Sequence, residues 1–175
     1  KASWADKKTG RSPEFWGRAI GWYCAALMDL YELMPEKYIS NLAQKEIKLI
    51  NSLIKYQKPE NGLWYQVVDK NNRPDNWPEL SCSCLFIYAI CKAYNLGLID
   101  NTYMEYASKG YSGVVSMLKK DEDGYLIVGN VCIGTGVGDY EFYVKRPVCD
   151  NDLHGLGAFL YMATEYEKAL RKYNN

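Results

Sequence analysis

With 175 residues, 48% hydrophobic and 24% charged, the chain is long enough and apolar enough for one packed domain, which excludes a disordered segment. Twenty-one basic residues balance twenty-one acidic ones, and without a basic stripe a nucleic-acid partner is excluded too. No apolar run is long enough to span a membrane, and no signal-peptide pattern opens the sequence.

Five helices are predicted in chain order. Ser12 and Pro13 read as a cap and a first-turn proline, with Glu14 suiting the helix dipole. The run from there to about Met34 is apolar nearly all round, so its helix is buried on most sides, and Pro35 ends it. From about Ser40 to Tyr56 the pattern turns one-sided: Leu42, Ile47, Ile50, Leu53 and Ile54 oppose Lys45, Lys48, Asn51 and Lys55. The segment from about Glu79 to Leu96 is again apolar all round and stops at Gly97. Thr102 to Lys119 is amphipathic, with Tyr103, Ala107, Val114 and Leu118 on one side. A last helix, about Asp152 to Arg171, starts on Asn151 or Asp152 as cap and is rich in Gly and Ala.

Buried and surface helices therefore alternate, which predicts two layers, and corresponding points of successive hairpins recur at roughly 60 to 65 residues. The linkers 57–78 and 121–150 are long, and loops of that length in a packed domain are usually functional. Each carries an aromatic just after a turn, Trp64 in one and Tyr125 in the other. Both lead into the start of a buried helix, so one end of the inner layer is expected to carry the site.

The side-chain chemistry narrows the function. Sixteen Tyr and five Trp against four Phe supply rings with polar edges, which suit sugar faces and hydroxyls but also ordinary cores. Of six cysteines, three fall in the apolar run SCSCLFIYAIC, where a free thiol behaves as a small hydrophobe. Neither a disulfide framework nor a zinc site is expected, and reduced thiols favour the cytoplasm of a bacterium. In FWGRAIGW, Arg18 and Trp22 stand at i and i+4 and share a stripe that runs on to Asp29. An arginine in a buried helix needs an acceptor or a cavity. A planar guanidinium beside an indole suits a carboxylated sugar. A purely structural Arg18, paired to a carbonyl or to Asp29, fits the spacing equally well.

Three blocks, the W-G-R-x-x-G-W segment, ENGLWYQVVD with the following ELSCS helix start, and VGDYEFYVKRPVCDNDLHGLGAFL, stand in the order and spacing of glycoside hydrolase family 105 and together cover nearly the whole chain. The chain resembles the unsaturated rhamnogalacturonyl hydrolases of that family. The resemblance implies an all-α fold, an (α/α)6 barrel of six hairpins, of which residues 1–175 form the C-terminal portion of a single catalytic domain. It implies removal of a terminal 4,5-unsaturated galacturonic acid from pectin-derived rhamnogalacturonan oligosaccharides by hydration of the C4=C5 bond, without metal or cofactor. It assigns substrate binding to Trp16, Arg18 and Trp22. The aspartic general acid is expected upstream of Lys1, so no catalytic residue is assigned within the chain, and the N-terminal half of the barrel is the expected partner. His154, Asp139 and Trp64 are further candidates at the site. Among local acids, Asp75, Glu79, Asp139, Glu141 and Asp152 lie at the proposed end, with Asp152 most simply a cap, Glu79 a dipole partner and Asp139 a turn former. Two other readings stay open: an unsaturated glucuronyl hydrolase or sugar epimerase on a similar ring, and a non-catalytic helical-repeat module for carbohydrate binding or interaction. The apolar first and last helices argue against the repeat module, whose ends need polar caps.

Overall fold

The computed structural model describes residues 2–174, with the side chains at positions 36 and 40 left aside. Its centre is helix α3 (Leu80–Asn95), which has no polar face, and every residue from Leu80 to Tyr94 is buried. A helix without a polar side must be covered all round. Helices α1 (Gly17–Leu33) and α6 (Leu153–Tyr173) flank it, while α2 (Glu36–Leu53) packs outside α1 and α4 (Met104–Met117) outside α3. The one-sided helices thus form the outer layer and the apolar ones the inner layer. Close approach of α1 to α3 depends on small residues: a Cβ at Gly21 would lie 2.7 Å from that of Leu85.

Several boundaries differ from the sequence expectation, each for a tertiary reason. Helix α1 starts at Gly17, not after Ser12 and Pro13. The Ser12 hydroxyl instead donates to the Glu14 carbonyl at 2.8 Å, and residues 15–16 run extended beside 67–68, where Val68 N–H donates to the Phe15 carbonyl at 3.0 Å. Helix α2 starts at Glu36, directly after Pro35, and gives way to a 3-10 turn at Ile54–Tyr56. A similar turn at Asn101–Tyr103, capped by the Asp100 side chain, opens α4. Asp152 caps α6 by accepting the His154 backbone N–H at 2.9 Å.

The long linker 121–150 and the two residues before it hold structure that periodicity did not predict. Strands β1 (Lys119–Lys120) and β2 (Leu126–Ile127) pair antiparallel, as do β3 (Val131–Cys132) and β4 (Val148–Cys149). A short helix α5 (Tyr140–Val144) lies between the last two and is capped by Asp139, which accepts the Phe142 N–H at 2.9 Å.

The inner helices are unequally covered. Along α1 the exposed residues Ala19, Trp22, Tyr23, Ala26, Leu30 and Leu33 recur every three or four positions and form one apolar stripe. On α6, Leu153, Leu160 and Tyr161 are exposed, Leu153 to 81%. No helix among the described residues is long and apolar enough to cross a membrane.

Candidate functional site

The N-terminal ends of α1, α3 and α6 meet at one end of the inner layer, and the linkers 62–78 and 131–150 close over them. Trp16, the residue before α1, is held there on three sides. Its ring stacks on Tyr143 of α5 at 5.3 Å between centroids and 21° between planes. The Arg18 guanidinium lies 5.3 Å from the same ring, and the indole N–H donates to Gln66 Oε1 at 3.2 Å.

Arg18 is only 2% exposed. Its Nη2 donates to the Ile133 carbonyl at 2.9 Å, while Nε and Nη1 have no hydrogen-bond partner. A buried guanidinium with unused donors is costly, so it is held by its surroundings rather than satisfied by them. The carbonyl contact matches the structural reading left open for Arg18, while Nε and Nη1 lie buried without a partner. One residue on, the Gly134 carbonyl accepts Arg146 Nη2 at 2.7 Å, so consecutive carbonyls of one strand end hold two guanidinium groups.

His154 sits in the first turn of α6 beside this strand end. A Cβ on Gly134 would lie 3.5 Å from its Cε1. Asp152 Oδ1 is 2.7 Å from His154 Nδ1, which leaves Nε2 free on a half-exposed ring. Burial alone would raise the Asp152 carboxyl; the backbone N–H and ring of His154, together with the Arg18 charge, outweigh that and hold it below its usual value.

Trp22, one turn further along α1, is 38% exposed and meets Tyr161 of α6 edge-on at 6.2 Å. Of the two tryptophans read as sugar platforms, Trp22 therefore keeps open ring surface, whereas Trp16 already faces Tyr143 and Arg18. Trp64 requires a correction. It is fully buried, its indole donates to the Leu53 carbonyl at 2.7 Å, and its ring meets Phe86 in the core. The turn before it placed Trp64 in a linker, but the linker folds inward at that residue.

Each local acid is engaged. Asp139 caps α5 and Asp152 caps α6. Asp75 accepts the Tyr140 hydroxyl at 2.8 Å, which leads the causes holding its carboxyl low. Glu141 pairs with Lys145 at 3.0 Å. Glu79, fully buried, accepts from the Ser81 hydroxyl and from the backbone N–H groups of Cys82 at 2.7 Å and Cys132 at 3.0 Å. It thereby ties the start of α3 to the strand end that carries Ile133. The sequence reading missed Gln66, Cys132, Tyr143 and Arg146. They fall within or beside the quoted blocks, but no spacing rule distinguishes a glutamine or tyrosine there from a core residue.

Toward the other end of the inner layer the helices leave a cavity of ≈ 520 Å³, lined among others by Asp29, Tyr88, Lys92, Tyr161, Thr164 and Glu165. The Tyr88 hydroxyl donates to Asp29, and buried Lys92 donates to Glu32 at 2.5 Å. This is an ion-pair floor that joins α1 to α3.

The chain matches the sequence profile of Glycosyl Hydrolase Family 88 over residues 1–170. It is 29% identical over 177 residues to the "24.9 kDa protein in picA locus" of Rhizobium radiobacter, covering 93% of this chain and 76% of that protein. To the "Unsaturated 3S-rhamnoglycuronyl hydrolase" of Alteromonas sp. (strain LOR) it is 30% identical over 165 residues, covering 91% of this chain and 37% of that one. Among solved structures, the glycoside hydrolase from family 105 of C. acetobutylicum ATCC 824 is similar with a TM-score of 0.89 and 32% identity, over 95% of this chain and 49% of that one. A possible family 105 member from Salmonella enterica serovar Paratyphi A follows at 0.80 and 27%, over 97% and 43%. The chain thus spans about half the length of these solved relatives. With the profile matching nearly every residue and solved family 105 structures sharing its layered all-α fold, the chain belongs to Glycosyl Hydrolase Family 88.

Proposed function

We propose that this chain is the C-terminal half of one (α/α)6-barrel domain that removes a terminal 4,5-unsaturated galacturonic acid from rhamnogalacturonan-derived oligosaccharides. The observation that carries this reading is Arg18, held against Trp16 at the end of the inner layer with Nε and Nη1 lacking hydrogen-bond partners. A planar cation beside an indole fits a flat unsaturated ring that bears a carboxylate. The name of the Alteromonas relative, "Unsaturated 3S-rhamnoglycuronyl hydrolase", supports the same substrate class. That name covers any uronic acid, so an unsaturated glucuronyl hydrolase is the second reading. Because the C4=C5 bond erases the centre that distinguishes galacturonic from glucuronic acid, it differs from the first in linkage and partner sugar, not in the terminal ring.

In the proposed reaction a carboxylic acid gives a proton to C4 and water adds its oxygen to C5. The proton lost by that water returns to the carboxylate, and the resulting hemiketal opens to release the partner sugar. Arg18 would hold the substrate carboxylate, Trp22 would cover an apolar ring face, and Trp16 would brace Arg18. The acids at this end are occupied as caps and ion pairs, which favours a general acid on the other half of the barrel. The open stripes of α1 and α6 are where that half would pack. Loss of the ultraviolet absorbance of the unsaturated uronide is the test, run on the full-length gene product with unsaturated disaccharides derived from rhamnogalacturonan and from a glucuronate-containing polysaccharide. Turnover is expected with the former and should fall at least tenfold, by about 1.4 kcal/mol or more, in Arg18→Ala. Preference for the glucuronate-derived disaccharide would favour the second reading, and no turnover of either would reject both.

A further inference from the structure

Gln66 joins three walls of the site through one side chain. It is fully buried. Its Oε1 accepts the Trp16 indole N–H at 3.2 Å, and its Nε2 donates to the Tyr143 carbonyl at 3.2 Å and to Cys132 Sγ at 3.1 Å. The indole N–H only donates and the Tyr143 carbonyl only accepts, so the amide has one allowed orientation. The backbone of the same residue reinforces it: the Gln66 carbonyl accepts the Gly17 N–H at 3.0 Å, and its N–H donates to the Trp77 carbonyl at 2.9 Å.

We infer that Gln66 is the positioning residue of the uronide site, acting through Trp16 and through the strand end that holds Arg18. Cys132 directly precedes Ile133, whose carbonyl fixes the Arg18 guanidinium. Losing the amide therefore frees the Trp16 indole and loosens the acceptor of Arg18 together. Core packing alone does not require this arrangement, since an apolar side chain of similar length would fill the volume but leave the indole N–H and the Tyr143 carbonyl unpaired. The inference rests on the uronide reading for its binding arm and on the geometry alone for its spectroscopic arm.

Gln66→Leu and Gln66→Glu, made in the full-length gene product, test it. The variant Gln66→Glu keeps an acceptor for Trp16 and, when protonated, a donor for Tyr143. The first readout is the Trp16 indole N–H resonance, assigned by its disappearance in Trp16→Phe. It is expected to shift and exchange faster in Gln66→Leu but to stay near its native position in Gln66→Glu at acidic pH. The second is the dissociation constant for an unsaturated galacturonide, measured well below each variant's melting temperature. It is expected to rise about tenfold or more in Gln66→Leu, with partial recovery in Gln66→Glu that is lost as pH rises while the parent's profile stays flat. An unchanged indole resonance in Gln66→Leu, or a dissociation constant within about twofold of the parent's, would overturn the inference. Failure of the parent protein to bind any uronide would instead reject the substrate reading, and the resonance would still decide the positioning role. If Gln66→Leu does not fold, the pH-dependent pair of readouts in Gln66→Glu decides alone: flat profiles in both would overturn it.

Discussion

Helices α3 and α1 have nearly the same chemistry and opposite fates. Both are apolar on all sides, yet α3 is buried from Leu80 to Tyr94, whereas α1 leaves a stripe from Ala19 to Leu33 exposed. The difference is position: α3 has α1 on one flank, α6 on the other and α4 behind, while α1 has α3 on one flank and α2 behind. A side chain's burial is thus set by the number of neighbouring helices more than by its own hydrophobicity. The apolar residues left open on α1 and α6 are where the proposed other half of the barrel would pack.

Substitutions break or sharpen that contrast in order of size. The largest effect is expected in the α3 core: Phe86→Ala removes a fully buried ring packed against Trp64 and should cost about 3–5 kcal/mol in urea unfolding. Next comes the interface of α1 with α2. Glu46 is fully buried, neither of its oxygens has a hydrogen-bond partner, and burial raises its carboxyl to about 7, only partly offset by the Cys24 thiol. A folded-state value above the unfolded 4.5 means that full stability exists below about pH 4.5 and is lost as pH rises through about 7. Glu46→Gln should therefore gain about 3 kcal/mol over the parent at pH 8 and nothing at pH 4, read from unfolding curves at both. An equal gain at both values would mean that packing, not ionisation, governs the site.

Smaller effects probe the ends. Glu79→Gln turns an amide toward the Cys82 and Cys132 N–H groups and should cost about 1–3 kcal/mol in the same assay. At the low end, Leu30→Ala on the open stripe should cost under about 0.5 kcal/mol in the isolated chain. It should cost several times more once a partner covers α1. Equal costs in both settings would show that the stripe stays in water.

The sequence periodicity made the layering legible, because all-round and one-sided apolar patterns differ over a whole helix. It did not reveal where α1 begins. The Ser12–Pro13 signal is local, and pairing of residues 15–16 with 67–68 overrides it. Arg18 and the two tryptophans were visible as a motif, but their different exposures were not, since those depend on Tyr143 and Ile133 more than a hundred residues away. Trp64 shows the same limit from the other side: a turn signal marks a linker without saying which way it folds. The amide of Gln66 has no signature at all, because its three partners come from separate parts of the chain.

The central proposal is that the chain carries one half of a site whose acid lies on the other half. The most direct measurement is the rate of loss of unsaturated galacturonide absorbance, taken on the 175-residue chain alone and on the full-length gene product. The account predicts turnover by the long form and none by the chain alone, with activity returning when the missing half is added. Turnover by the chain alone at a rate near that of the long form would contradict it, placing the acid among these residues, with Asp139 and Asp152 the first to substitute.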